Sequence, residues 1–163
     1  MGSLIDKLVN LINLASKKLG FLGPLLARFV VGVTFLLTGW GKLHSLDSVT
    51  QFFTDLHIPA PAFHAVLVSS MEFVGGIAIL VGLFTRFFSV GLLITMLVAI
   101  LTAQLENVHG IGDLTGLTES AYAAFFIWLA VAGAGPVSVD HVLAKLWANR
   151  AGAPAARPAT ARY

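Results

Sequence analysis

The feature that most constrains this chain is a series of four long apolar stretches. They run over residues 21–41, 61–84, 87–105 and 120–134. An α-helix needs about 20 apolar residues to cross the hydrocarbon core of a bilayer, and the stretches approach that length. The runs are continuous, whereas the strands of a membrane β-barrel alternate apolar and polar residues. The sequence therefore predicts an all-α integral membrane protein built as a four-helix bundle.

The composition agrees with burial in lipid rather than in water. Hydrophobic residues make up 57% of the 163 residues and charged residues only 11%, with a mean hydropathy of +0.88. Soluble domains carry about 25% charged residues. A soluble domain of this length cannot hide so much apolar surface in one core. We expect a single membrane domain over residues 21–150.

The two ends of the chain differ from this domain. Residues 1–20 alternate apolar and polar side chains at helical spacing, which predicts an amphipathic helix lying in the membrane interface rather than a cleaved signal peptide. Residues 151–163 are rich in Ala, Pro and Arg, a composition typical of a disordered tail.

The basic residues predict an orientation. All ten Lys and Arg residues except Lys42 lie before or early in the first stretch, between the second and third, or after the fourth. Because cytoplasmic loops of membrane proteins carry an excess of Lys and Arg, we expect both termini in the cytoplasm. The net charge of +2 does not indicate nucleic-acid binding, since the basic residues form no single patch.

Glu72 is the most informative polar residue, because it lies midway along the second stretch. A carboxylate near the bilayer centre costs roughly 2.5–3.5 kcal/mol, so Glu72 should face the bundle interior and either pair with a cation or hold a proton. Arg28 and Lys42, both in or at the end of the first stretch, are the available cations. Two interpretations stay open: an internal ion pair that fixes helix register, or a ligand and proton site.

Four histidines fall at or beyond the predicted outer end of the bundle: His44, His57, His64 and His109. Imidazoles gathered there could ligate haem or hydrogen-bond a quinone. No two of them show the i, i+4 spacing of a helix-borne metal site, so no metal site is predicted. The chain has no cysteine, which excludes thiolate-held Fe–S clusters and thiol relays, and it carries no dinucleotide-binding motif.

Several short motifs, in this order, resemble the DoxX family of small bacterial and archaeal membrane proteins. They are Arg28, then Leu36 to Lys42 ending in Gly-Trp-Gly-Lys, then Met71 to Gly76 with its Glu-x-x-Gly-Gly, then Gly82 to Arg86, and finally Gly133 to Asp140. The last segment is similar to the family's closing Gly-Pro-Gly…Ser-Leu-Asp turn with two substitutions. The resemblance covers nearly the whole membrane part.

The resemblance implies a four-helix domain of the bacterial inner membrane that is associated with redox enzymes, including the membrane subunit of thiosulfate:quinone oxidoreductase. By position, Arg28, Lys42 and Glu72 would form the polar interior. Ser138 and Asp140 would form a feature at a helix end on the cytoplasmic side, where Asp140 has Lys145 or Arg86 as a candidate ion-pair partner.

The first functional hypothesis is therefore a membrane subunit of a quinone-linked oxidoreductase. The quinone would bind near Glu72 with Arg28 or Lys42, and Glu72 would supply a proton. Electrons would come from a partner protein or a bound haem. The first alternative is a non-catalytic anchor or assembly subunit for a partner enzyme. Less favoured are a haem- or metal-binding protein that uses the outer histidines and, least favoured, a small-solute carrier. The expected protein partner is a redox protein or further copies of this chain.

The predicted orientation can be tested with reporter fusions. Fusions after Arg86 and after Tyr163 should report a cytoplasmic position, because both follow basic segments, and a fusion within residues 110–116 should report an external one. A cytoplasmic signal from residues 110–116 would contradict the arrangement with four spans.

Overall fold

The computed structural model describes residues 2–150, without the side chains of residues 2–4, 12 and 15–18. This part of the chain is helical, as the sequence predicts. The helices are α1 (Gly2–Leu19), α2 (Leu22–Leu43), α3 (Leu46–Asp55), α4 (Pro61–Val81), α5 (Thr85–Ala99), α6 (Ile111–Gly116), α7 (Thr118–Ala132) and α8 (Val139–Arg150). The predicted disordered tail, residues 151–163, lies outside the described residues.

Three helical segments are long and apolar enough to cross a membrane. They are α2, α4 and the segment Thr85–Asn107, in which α5 continues through a π-helical turn and a 3-10 turn. The fourth apolar helix, α7, has 15 residues. At about 1.5 Å per residue it falls short of a hydrocarbon core about 30 Å thick. The fourth predicted span is thus present as a shorter apolar helix.

The reversal between α4 and α5 occurs earlier than the sequence predicts. Gly82 (φ 74°) and Phe84 (φ 47°) both adopt left-handed backbone conformations, and these end α4 and begin α5. Thr85 and Arg86, which the sequence places in the turn, instead form the first turn of α5. A left-handed glycine at a helix end is a common way to terminate a helix.

The long helices form a closed bundle in which α2 packs on α4, α4 on α5 and α5 on α7. Phe35 of α2 closes the ring, since its side chain meets Tyr122 and Phe126 of α7 edge-to-face, with centroid distances of 5.2 and 5.0 Å. Such aromatic pairs stabilise beyond the area they bury. The buried core consists of Val31, Phe35, Ile79, Leu92, Met96, Ala123, Phe126 and Leu129.

The outside of the bundle is strongly apolar. Phe29, Leu37, Phe63 and Ile94 are each 55–64% exposed, although they are large hydrophobic side chains. A soluble protein rarely leaves so many large apolar groups in contact with water, whereas lipid accepts them. The connection between α2 and α4, predicted only as a loop, contains helix α3, which packs against α4.

The contact between α2 and α4 depends on three glycines. A Cβ on Gly32 would lie 2.9 Å from Leu80 Cβ, one on Gly39 would lie 2.7 Å from Phe73 Cα, and one on Gly76 would lie 2.9 Å from the Gly32 carbonyl oxygen. These distances are too short for a real Cβ, so the two backbones are in direct contact, as expected for small residues between membrane helices. Gly41, two residues after Gly39 on α2, has open space around it instead.

Gly39→Ala should destabilise the protein, and Gly41→Ala on the same helix is its matched control. Both changes raise helix propensity, by up to about 1 kcal/mol. Only Gly39→Ala forces α2 and α4 apart, and overpacking of this kind costs roughly 1–3 kcal/mol. Thermal unfolding in detergent should show a lower Tm for Gly39→Ala and an unchanged or higher Tm for Gly41→Ala. Equal Tm values would contradict the close contact.

Candidate functional site

Glu72 lies inside the bundle and is paired with Lys42. The Lys42 Nζ atom is 2.6 Å from Glu72 Oε1, the one ion pair found among the side chains that the structure describes. The Glu72 side chain is 3% exposed, whereas that of Lys42 is 39% exposed. The contact between α2 and α4 produces the pair, because it places the last turn of α2 beside the middle of α4.

Two polar oxygens beside this pair have no hydrogen-bond partner within the described residues. They are the second carboxylate oxygen of Glu72, Oε2, and the hydroxyl oxygen of Ser69, both fully buried. Ser69 precedes Glu72 by three residues on α4, so the two side chains lie on the same helix face. Buried polar atoms are normally hydrogen-bonded. The site therefore offers a carboxylate oxygen that can accept a hydrogen bond and a hydroxyl that can donate or accept one.

Aromatic rings occupy the same turns of α2 and α4 as the pair. Trp40 is 53% exposed, and its ring lies 5.5 Å from that of Phe73 and 4.1 Å from that of His44. Trp40 is two residues before Lys42, and Phe73 directly follows Glu72. A flat apolar ring could stack on this aromatic surface.

Arg28 does not pair with Glu72, so that alternative is wrong. Arg28 is 2% exposed, and its guanidinium donates four hydrogen bonds, all to backbone carbonyl oxygens. They are Nε to Ile79 (2.9 Å), Nη2 to Leu80 (2.9 Å), and Nη1 to both Ala134 (2.7 Å) and Val137 (2.6 Å). The last carbonyls of a helix have no partner within it, and a planar fork of donors suits several of them at once. Arg28 thus ties α2 to the end of α4 and to the segment after α7.

Asp140 joins two segments of the chain by hydrogen bonds at the same end of the bundle. Its carboxylate oxygens accept hydrogen bonds from the backbone amides of Phe84 (2.7 Å) and Thr85 (3.0 Å), and its own amide donates to the Gly82 carbonyl (2.9 Å). It therefore caps α5 from a distant part of the chain. The predicted ion pair with Lys145 or Arg86 is wrong, since neither cation is within salt-bridge distance of Asp140 in the described residues.

The four predicted outer histidines do not form a metal centre. Residues 2–150 contain no group of three or more His, Cys, Asp or Glu side chains able to hold a metal ion. Nδ1 of His44 lies 2.9 Å from the Trp40 carbonyl oxygen, and Nδ1 of His64 lies 2.7 Å from that of Pro59. Haem ligation by His44, His57, His64 or His109 stays a prediction.

Comparison with known proteins decides the family. The sequence profile of the DoxX family matches residues 23–105, slightly more than half of the chain. The chain belongs to the DoxX family. The matched DoxX segment contains Arg28, Lys42, Glu72 and Arg86, whereas Asp140 lies beyond it. No solved structure matches the chain.

Several curated relatives are similar over half or more of this DoxX chain. "Inner membrane protein YqjF" of Escherichia coli strain K12 is 34% identical over 134 residues, covering 80% of this chain and 99% of the relative. "Putative oxidoreductase CatD" of Bacillus subtilis strain 168 is 32% identical over 85 residues, covering 52% and 62%. "Inner membrane protein YphA" of E. coli K12 is 28% identical over 127 residues, covering 72% and 87%. With its apolar helices, this chain is a membrane protein of the DoxX family.

Arg28→Lys should destabilise the protein although it keeps the charge. A lysine ammonium is a compact group that cannot reach the carbonyls of α4 and of the segment after α7 together. Each hydrogen bond from a charged donor contributes roughly 1.5–3 kcal/mol, so losing two of them should lower Tm in detergent clearly. Arg150→Lys at the exposed end of α8 is the control and should leave Tm unchanged. A Tm for Arg28→Lys equal to that of the wild type would contradict the stabilising role of the guanidinium hydrogen bonds.

Proposed function

We propose that this protein is an integral membrane subunit of a quinone-linked oxidoreductase, with the quinone bound at Lys42 and Glu72. The observation that carries the proposal is a buried carboxylate with one oxygen on Lys42 and the other without a protein partner in the described residues. The relative named "Putative oxidoreductase CatD" supports a role in a redox system.

The residues at the site match what a quinone head group requires. Quinone carbonyl oxygens accept hydrogen bonds, which the Lys42 ammonium and the Ser69 hydroxyl can donate. Trp40 and Phe73 provide aromatic surface in the same turns of α2 and α4 as Lys42 and Glu72. The chain's dense apolar exterior would let a lipid-soluble ligand approach from the bilayer.

Reduction of a quinone to a quinol consumes two electrons and two protons. When protonated, Glu72 can donate a proton to a quinone oxygen. The buried carboxylate would then take up another proton from the membrane surface by way of Lys42, which is partly exposed. The electrons would come from a partner redox protein or a bound haem. Thiolate-held Fe–S clusters are excluded, because the chain has no cysteine.

A second candidate function is a non-catalytic anchor or assembly subunit. The observation that favours it is the direct contact between Lys42 and Glu72, which neutralises both charges and lies beside the tight contact between α2 and α4. In that case the pair would only fix how these two helices pack.

Quinone binding to three variants, two at the pair and one control, separates the two candidates. We expect Glu72→Gln and Lys42→Gln each to weaken binding of a short-chain ubiquinone to the purified protein by roughly tenfold or more, because each removes a charge-assisted contact. Quenching of tryptophan fluorescence measures this binding. Glu106→Gln, an exposed carboxylate after α5, is the matched control and should bind like the wild type.

Stability of the same variants tests the pair itself. Lys42→Gln should lower Tm more than Glu72→Gln, because it leaves a carboxylate buried without its counter-charge, whereas Lys42 alone can reach water. Removing one partner of a buried pair costs roughly 3–5 kcal/mol in soluble proteins. The double variant should recover part of the loss. Unchanged quinone binding in all variants, together with this recovery, would contradict the quinone site and favour the anchor.

A further inference from the structure

A cavity of about 470 Å³ opens at the end of the bundle opposite Lys42. It lies between the turn that joins α4 to α5 and the segment that joins α7 to α8. Its walls include Phe84, Arg86, Phe87, Ser138, Asp140 and His141, together with the backbone of residues 132–135. None of these residues belongs to the site proposed for quinone, so the cavity needs an explanation of its own.

Among the side chains of this cavity, Arg86 has the most hydrogen-bond donors without a partner in the described residues. Its exposed guanidinium has five N–H donors, and within the described residues it makes one hydrogen bond, from Nη2 to the Val131 carbonyl oxygen at 3.3 Å. That distance is beyond the usual range for N–H···O bonds, so the contact is weak. A planar fork of free donors is well suited to a phosphate or carboxylate group.

The other charges around the cavity leave it favourable to an anion. Asp140 is the one acidic side chain in the wall, and both its oxygens already accept backbone amides of Phe84 and Thr85. The buried guanidinium of Arg28 lies directly behind, against Gly82 and Ser138, and offsets the charge of Asp140. Arg86 then contributes a further positive charge, and His141 offers an additional ring donor.

The position of the cavity indicates which anion it takes. It lies where α4 ends and α5 begins, which is the membrane surface for two helices that span the bilayer. Phe84 and Phe87, on either side of Arg86, are 63% and 68% exposed and give this rim an apolar surface. A soluble phosphate compound would gain little from two such rings, whereas the acyl chains of a lipid would cover them.

We propose that this cavity is a binding site for the phosphate headgroup of an anionic phospholipid. Arg86 donates two parallel N–H hydrogen bonds to the phosphate, and His141 donates a further one. Phe84 and Phe87 contact the upper part of the acyl chains. The bound lipid would lie against both the α4–α5 turn and the α7–α8 segment, and so would stabilise the end of the bundle that Arg28 and Asp140 tie together.

The test uses the full-length protein, purified in detergent and freed of lipid. Phosphatidylglycerol, phosphatidylcholine and inorganic phosphate are added separately, and binding is measured by native mass spectrometry and by the shift in Tm. We expect phosphatidylglycerol to bind and raise Tm, and the other two to have little effect. Arg86→Gln should weaken phosphatidylglycerol binding roughly tenfold or more, whereas the control Arg150→Gln, an exposed basic residue of α8, should not.

Two further variants keep the test decisive if Arg86→Gln does not fold. Phe87→Ala and His141→Ala both leave Arg86 and its backbone contact in place, and each should weaken phosphatidylglycerol binding roughly threefold or more. Unchanged affinity in both would overturn the proposal. So would an equal loss in Arg86→Gln and Arg150→Gln, which would indicate non-specific attraction. Equal stabilisation by inorganic phosphate and phosphatidylglycerol would overturn the lipid as the ligand and leave a soluble phosphate compound.

Discussion

The backbones of α2 and α4 touch because Gly32, Gly39 and Gly76 present no side chain at their contact. Membrane helices gain little from the hydrophobic effect when they pair, so close packing of this kind supplies much of their attraction. The contact also fixes the register of the two helices. At one end it brings Lys42 to Glu72, and at the other it brings Arg28 to the last carbonyls of α4.

The two cations of α2 consequently have different physical roles. Arg28 is fully enclosed and all of its hydrogen bonds go to backbone carbonyls, so its charge is used to complete a helix end and to hold a neighbouring segment. Lys42 is partly exposed and holds only one oxygen of a buried carboxylate. All the hydrogen-bond donors that Arg28 uses are directed to protein carbonyls, which suits a structural role. The Lys42–Glu72 pair leaves one carboxylate oxygen without a partner in the described residues and remains in contact with the surface.

The two polar regions of the bundle therefore present different chemistry. In the middle of α4 the Glu72 carboxylate and the Ser69 hydroxyl are buried and each has a polar oxygen without a partner in the described residues, which suits a neutral ligand that exchanges protons. At the α4–α5 turn, Arg86 and exposed phenylalanines surround an open cavity, which suits an anionic lipid. A subunit that binds a lipid-soluble substrate and is held in place by lipid would use both.

The sequence by itself determined the helical membrane class and the approximate ends of the four apolar helices, because lipid permits few spanning structures. It also pointed to Glu72 as a residue that needs a partner inside the bundle, because a buried charge in lipid is costly. It could not choose between Arg28 and Lys42 as the partner of Glu72, since both lie on one helix and only the register against α4 separates them. Ser69 could have been found from its spacing to Glu72. The capping of α5 by Asp140 could not, because that contact joins residues more than 50 positions apart. Only tertiary packing brings such distant groups within hydrogen-bond distance.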